Sequence, residues 1–350
     1  MNAISLFCGA GGMDIGFEKA GVSVLWANEF NVDAVNTYRA NHPTTNVVHA
    51  DIKMAKNQLC DYASKGVDLV FGGPPCQGFS VAGKMDPDDE RSTMVWEFFD
   101  VVETVSPKYF VMENVKALGE LARWKHVREK IHKRATELGY YCFSRVLNAA
   151  EYGVPQKRER VFFIGIKNGN PDSATKFDEV LLAKKKPRQP LRECLLKVGK
   201  VGSKENPLSC TAKITLAVNP VIRKSPYAGM LFNGMGRPLN FNDQANTLPA
   251  SMGGNKTPIV DELLLQNPDA EDWIVSYHQK LINGEKLEQP LEVPAHLRRL
   301  TVREAAAIQT FPPDYIFCGE KSSIYRQIGN AVPCNLAQAV AETVVEVSKM

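Results

Sequence analysis

The sequence predicts an α/β protein: an open, doubly wound sheet joined to a second, smaller, loop-rich β domain. Three observations point there. Short β-rich runs alternate with helical patterns through residues 1–167. A glycine turn follows the first run, and chemistry-bearing side chains follow several others, where open sheets present the carboxyl ends of their strands. Near residue 184 the character changes, with the polar, proline-broken run KKKPRQP.

In order, the strand candidates are 4–7, 23–27, a run just before Asp51, 67–71, 109–112, 142–147 and 161–166. Helical spacing appears between them, for example at 32–40 and 127–138, and this alternation argues for parallel strands. From 184 to about 300 there are many Gly, Pro, Asn and Ser and few strong helical patterns. Helical spacing returns at 301–310 and at 335–347, just after Pro333. The expected division is 1–185 plus 328–350 as one domain and 186–327 as the other, with 297–318 bracing the two. No internal repeat is present.

With 350 residues, 44% hydrophobic and 23% charged, the chain has the balance of a globular protein large enough for two cores. No stretch reaches the ~20 apolar residues that cross a bilayer. The start, MNAISLFCGAGG, lacks a basic signal-peptide segment, so a cytoplasmic protein with no membrane partner is expected. The eight cysteines form no C-x-x-C pair, so no metal site is expected. Net charge is only +3, but residues 184–260 hold 13 Lys or Arg against 3 Asp or Glu, and 261–300 hold 4 against 8. A basic block in a nearly neutral chain suits a phosphate backbone, and equally a solvated lysine-rich surface.

After the first strand candidate comes L-F-C-G-A-G-G-M-D-I-G. Gly9, Gly11 and Gly12 let backbone amides approach a ligand. A dinucleotide fingerprint requires glycine where Asp14 stands, so a nicotinamide oxidoreductase is disfavoured. Glu29 follows the second strand candidate and suits a ribose diol; Phe30 suits a flat base; Asp51 and Ile52 follow the third. Their plain alternatives are a surface carboxylate, a core aromatic and a helix cap.

GGPPCQGFS follows the fourth strand candidate. Pro74 and Pro75 stiffen the approach to Cys76, and Gly78 permits a bend. MENV places Glu113 and Asn114 on the neighbouring strand end. In QKRER, Gln156, Arg158 and Arg160 share one face if the stretch is extended.

In this order LFCGAGG, NEF, GGPPCQGFS, ENV, QKRER, LTVREAAAIQTFP and IGNAVP resemble the motifs of bacterial DNA cytosine-5 methyltransferases. The resemblance covers about 1–167 and 297–350, with SPYAG and LPASMGGNKTP flanking the region where members of that family differ. It implies an S-adenosylmethionine-dependent methyltransferase sheet and a target-recognition domain. It implies Cys76 as the nucleophile adding to carbon 6 of cytosine, Glu113 as a protonated donor at ring nitrogen 3, and Arg160 with Arg158 on the ring carbonyl. A thiolate is far more nucleophilic than a hydroxyl near neutrality, which suits the chemistry. The implied S-adenosyl-L-methionine site comprises Phe7, Gly9, Gly11, Gly12, Glu29, Phe30, Asp51, Ile52, Pro74 and the turn Asn330, Ala331, Val332.

The target base must leave the duplex, and the loop after Cys76 is expected to close over it. Gln77, Ser80, Arg223, Lys224, Arg237, Thr247 and Lys256 are candidate DNA contacts, with arginine suited to guanine and lysine to phosphate. Arg303 and Glu304 are expected to brace the domains. The usual setting of the family is a restriction-modification system, with a separately encoded endonuclease, and a monomer on DNA in the nucleoid. The rival functions are a transfer-RNA cytosine-5 methyltransferase, disfavoured by the basic variable domain, and a catalytically silent DNA-binding regulator, disfavoured by the intact Cys76, Glu113 and Arg160.

Overall fold

The computed structural model describes residues 1–75, 93–285 and 292–350. Its centre is a seven-stranded sheet. The strands are β1 (Asn2–Leu6), β2 (Ser23–Glu29), β3 (Asn46–His49), β4 (Leu69–Gly72), β5 (Tyr109–Val115), β6 (Tyr140–Asn148) and, after the two-residue β7 (Gln156–Lys157), β8 (Glu159–Lys167). Their order in the sheet is β3-β2-β1-β4-β5-β8-β6. β1 to β5 are parallel, as expected, but β8 runs antiparallel to both β5 and β6, so the sheet is mixed. β-branched and aromatic content marks a strand without giving its direction.

The intervening helices are α1 (Gly12–Lys19), α2 (Val32–Asn41), the single turns α3 (Ile52–Ala55) and α4 (Cys60–Ala63), then α5 (Met94–Val105), α6 (Lys116–Glu120), α7 (Lys125–Glu137) and α8 (Pro171–Ala183). Local chemistry starts them. Asn31 accepts from Ala34 N at the head of α2, and Asn170 with Ser173 forms a capping box ahead of Pro171.

Each face of the sheet is covered. On one side Phe17, Phe71, Phe162, Leu336 and Val340 are buried together, and Phe17 stacks on Phe71 at 4.1 Å. On the other lie Trp26, Phe98, Phe99, Phe110 and Phe163. Burying each such side chain contributes roughly 1.5–3 kcal/mol.

Beyond α8 the chain forms α9 (Leu191–Val198), the antiparallel pair β9 (Leu216–Val221) and β10 (Met230–Phe232), β11 (Ala245–Asn246), β12 (Ile259–Asp261), α10 (Glu262–Gln266), α11 (Trp273–Ile282), β13 (Leu297–Arg299), α12 (Val302–Ile308), α13 (Lys321–Asn330) and α14 (Cys334–Val347). Among the described residues of 184–300 the helices are the short α9, α10 and α11, whose apolar faces do not stand out amid turn residues, as the few strong helical patterns there led one to expect. β11 pairs with β7 and β12 with β13. Leu231, Phe232, Ile259, Ile274 and Leu297 make a small core of their own.

α14 returns to the N-terminal part of the chain. A Cβ on Gly16 would lie 2.4 Å from Gln338 N, so only glycine admits α14 this close to α1. Among the described residues no helix is long and apolar enough to cross a membrane.

Candidate active site

The glycine turn lies between β1 and α1. Phe7, Gly9 and Gly11 have φ of 54°, 55° and 79°, a left-handed run that glycine tolerates best. Glu29, at the end of β2, holds the turn. Its Oε2 accepts from Gly9 N at 2.9 Å, and its Oε1 accepts from Phe30 N and Asn31 N at 2.9 and 2.8 Å. Burial pushes the Glu29 carboxyl up, and these amides pull it back. Phe30, 72% exposed, presents a free ring beside it. Asp51 caps α3 by accepting from Lys53 N at 2.9 Å, the plain alternative foreseen for it. Ile52 turns inward and is 2% exposed, in the cluster that holds Trp26. The Asn330–Val332 turn reaches the same place, for a Cβ on Gly12 would lie 2.7 Å from Val332 O. Asp14 is buried beneath this loop and accepts from Tyr38 Oη at 2.9 Å.

The adjacent ends of β4, β5 and β8 form the second part. Glu113 sits opposite Phe162 in the β5–β8 ladder, and Arg160 opposite Val115. This diagonal lets Arg160 Nε donate to Glu113 Oε1 at 2.8 Å. Burial pushes the Glu113 carboxyl up; Arg160 first, then Arg158, pull it back down. Gly73 makes room for it, since a Cβ there would lie 2.8 Å from Glu113 Oε2. Asn114 Nδ2 donates to Pro74 O at 3.2 Å and fixes the buried approach to residue 76. Cys76, Gln77, Gly78, Ser80, Gly83 and the rest of the segment 76–92 lie outside the described residues. Of the other thiols, Cys8, Cys142, Cys194 and Cys334 are pushed up by burial, Cys334 to about 12, which makes them poor nucleophiles.

The one-face expectation for QKRER is corrected. Arg158 N donates to Gln156 O at 3.0 Å, a local turn that interrupts the strand between β7 and β8. Arg160 faces Glu113, while Arg158 is 1% exposed and donates to Gly329 O and Asn330 O at 2.9 and 3.3 Å. Its guanidinium thus holds backbone carbonyls of the 329–330 stretch while lying near enough to Glu113 to act on that carboxyl. Sequence reasoning also missed Gly73 and the buried Gln156–Gln309 bond of 2.8 Å; the neighbouring motifs name these residues but say nothing of their partners.

Glu304 closes a capping box with Thr301 and accepts from Arg298 Nη2 at 2.7 Å and Asn206 Nδ2 at 3.3 Å. Arg303 Nη1 donates to Tyr315 O at 2.8 Å. Arg223, Lys224, Arg237 and Lys256 are all exposed. Thr247 is exposed too, its hydroxyl donating to Lys157 O at 3.0 Å. Among the described residues no cluster of His, Cys, Asp or Glu could hold a metal ion.

Comparison with known proteins shows what the chain is similar to. The family model for C-5 cytosine-specific DNA methylases matches residues 1–346. The chain is 34% identical to the type II methyltransferase M1.HphI of Haemophilus parahaemolyticus, across 99% of this chain and 87% of that one. It is also 34% identical to M.Eco47II of Escherichia coli, across 98% and 78%. In fold it resembles Schizosaccharomyces pombe Dnmt2 methyltransferase (TM-score 0.65, 18% identity, 100% and 98% coverage). The Entamoeba histolytica methyltransferase EhMeth is similarly related (TM-score 0.68, 17% identity, 100% and 99% coverage). The chain belongs to the C-5 cytosine-specific DNA methylase family.

Proposed function

We propose that this DNA cytosine-5 methyltransferase acts on a cytosine flipped out of duplex DNA, as the modifying member of a restriction-modification system. The observation that carries the reading is the buried Glu113–Arg160 pair beside the Gly73-Pro74-Pro75 approach to Cys76. Residues 1–185 with 328–350 serve as the catalytic domain and 186–327 as the recognition domain.

Cys76 adds as thiolate to carbon 6, and once carbon 5 carries the methyl group the carbon-5 proton is lost to a base as the carbon–sulfur bond breaks and the thiolate leaves. Negative charge that develops on the ring is met at nitrogen 3 by the proton of Glu113, whose burial favours the protonated form. Arg160 fixes the carboxyl's orientation and faces the ring carbonyl. When bound, S-adenosylmethionine supplies an electrophilic methyl. The residues present fit it: Glu29 carries acceptor capacity beyond its three amides, Phe30 offers an exposed ring, and the left-handed glycine turn opens α1. Asp51, Pro74 and the 330–332 turn complete that wall, with Ile52 contributing main chain only. Arg223, Lys224, Arg237, Thr247 and Lys256 form the DNA face.

The test is a duplex library incubated with methyl-labelled S-adenosylmethionine, followed by sequencing of methylated sites. DNA without label sinks the reading. Duplex carrying 5-fluorocytosine at the recovered site then traps the wild type covalently and leaves Cys76→Ala free; equal trapping removes Cys76 as the nucleophile.

A further inference from the structure

The last carbonyls of a helix have no partner within it. At the end of α13 four consecutive carbonyls are held by two side chains from elsewhere. Gln309 Nε2 donates to Ile328 O at 2.6 Å and Ala331 O at 3.2 Å. Arg158 takes the two between, Gly329 O and Asn330 O. A cation at a helix C-terminus is also favoured by the helix dipole.

The same groups reach the other way, to the peptide groups of Leu248. Leu248 N donates to Gln156 Oε1 at 2.8 Å, and Gln156 Nε2 donates to Gln309 Oε1 at 2.8 Å. Arg158 Nη1 lies 3.5 Å from Leu248 O. Gln156 and Gln309 are fully buried. Around this relay the backbones touch: a Cβ on Gly329 would lie 2.7 Å from Pro249 O and Ala250 Cα. On the far side of the turn, Val332 O lies against Gly12.

We propose that Arg158, with Gln156 and Gln309, is a positioning group that couples the 330–332 turn to the segment 247–250, so that cofactor and DNA each order the other's wall. The proposal rests on the reading of 330–332 as a cofactor wall and of 247–250 as part of the DNA face. Buried polar networks of this kind are costly to satisfy in part, so moving either wall strains the other. Lysine cannot replace Arg158, because a single ammonium lacks the planar fork that reaches carbonyls on two sides.

Hydrogen exchange on the wild type is the first test, with S-adenosylhomocysteine as probe and no DNA. The expected result is slowed exchange at 9–12 and 28–31, where the probe binds, and also at 245–250. Slowing at the first two segments alone overturns the coupling. No slowing anywhere overturns the cofactor reading, and the coupling with it.

Steady-state kinetics of Arg158→Lys on the recovered duplex is the second test. KM for cofactor and for DNA should both rise ~10-fold. A collapse of kcat with both KM values unchanged overturns the proposal and places Arg158 at the reacting ring. Gln309→Met, which leaves Arg158 intact, must reproduce the paired KM rise; unchanged KM values there overturn the relay.

Discussion

Glu113 and Asp14 are both carboxyls taken out of water, and burial has a different consequence for each. Glu113 faces Arg160 at the strand ends. Glu113→Gln keeps its shape and a partner for Arg160 but removes the transferable proton. Methyl transfer should fall about 10²–10⁴-fold with cofactor affinity unchanged; a fall below ten-fold would remove Glu113 from the proton step. Asp14 is remote from the ring, and burial raises it from 3.8 to about 6. The native state therefore binds a proton that the unfolded state has released between those two values, so stability falls as pH rises from 3.8 to about 6. The size is on the order of 3 kcal/mol. Asp14→Asn retains an acceptor for Tyr38 and carries no charge. Denaturant midpoints of the two proteins should coincide near pH 4 and separate by pH 7, with the variant the more stable. Parallel pH profiles would show that Asp14 does not titrate in this window.

At the scale of elements, the end of β4 separates folding from chemistry within two consecutive glycines. A Cβ on Gly72 would lie 2.1 Å from Leu6 O, a backbone atom of the neighbouring strand. Among the described residues, a Cβ on Gly73 comes closest to the end of the Glu113 side chain, 2.8 Å from its Oε2. Gly72→Ala should lower the melting temperature by several degrees, through a β1–β4 ladder that has to shift. Gly73→Ala should melt near the wild type yet lose most of its turnover, because the carboxyl is displaced; equal effects on both properties would show that the two positions do one job. Strands β1, β2, β4 and β5 were legible because each run of β-branched and aromatic residues ends in a turn. The reversal of β8 was not, since antiparallel and parallel neighbours use the same residue types. The break between β7 and β8 was not legible for a related reason. Alternation assumes an unbroken strand, and the turn at 156–158 breaks it.

For the molecule as a whole, the basic block of 184–260 stands apart from the acidic stretch that follows it. Sequence could show that asymmetry but not its geometry, because the region's strands are only two to six residues long and one of them, β11, pairs with the remote β7. In the fold, Arg223, Lys224, Arg237 and Lys256 are exposed, with no side-chain ion pair or hydrogen bond among the described residues. Unpaired surface cations near nucleic acid act in one of two ways, and salt distinguishes them. A side chain on phosphate releases counterions, so its loss reduces the slope of log affinity against log salt by about 0.9 and weakens all sequences alike. A side chain on a base edge leaves that slope nearly unchanged and costs about 1–3 kcal/mol on the target sequence alone. Lys224→Gln and Lys256→Gln should therefore flatten the salt dependence equally on target and random duplex. Arg223→Gln and Arg237→Gln should instead narrow the gap between the two duplexes. Titrations of the four variants at several salt concentrations decide it: four variants with wild-type slopes and wild-type discrimination would take this surface off the DNA altogether.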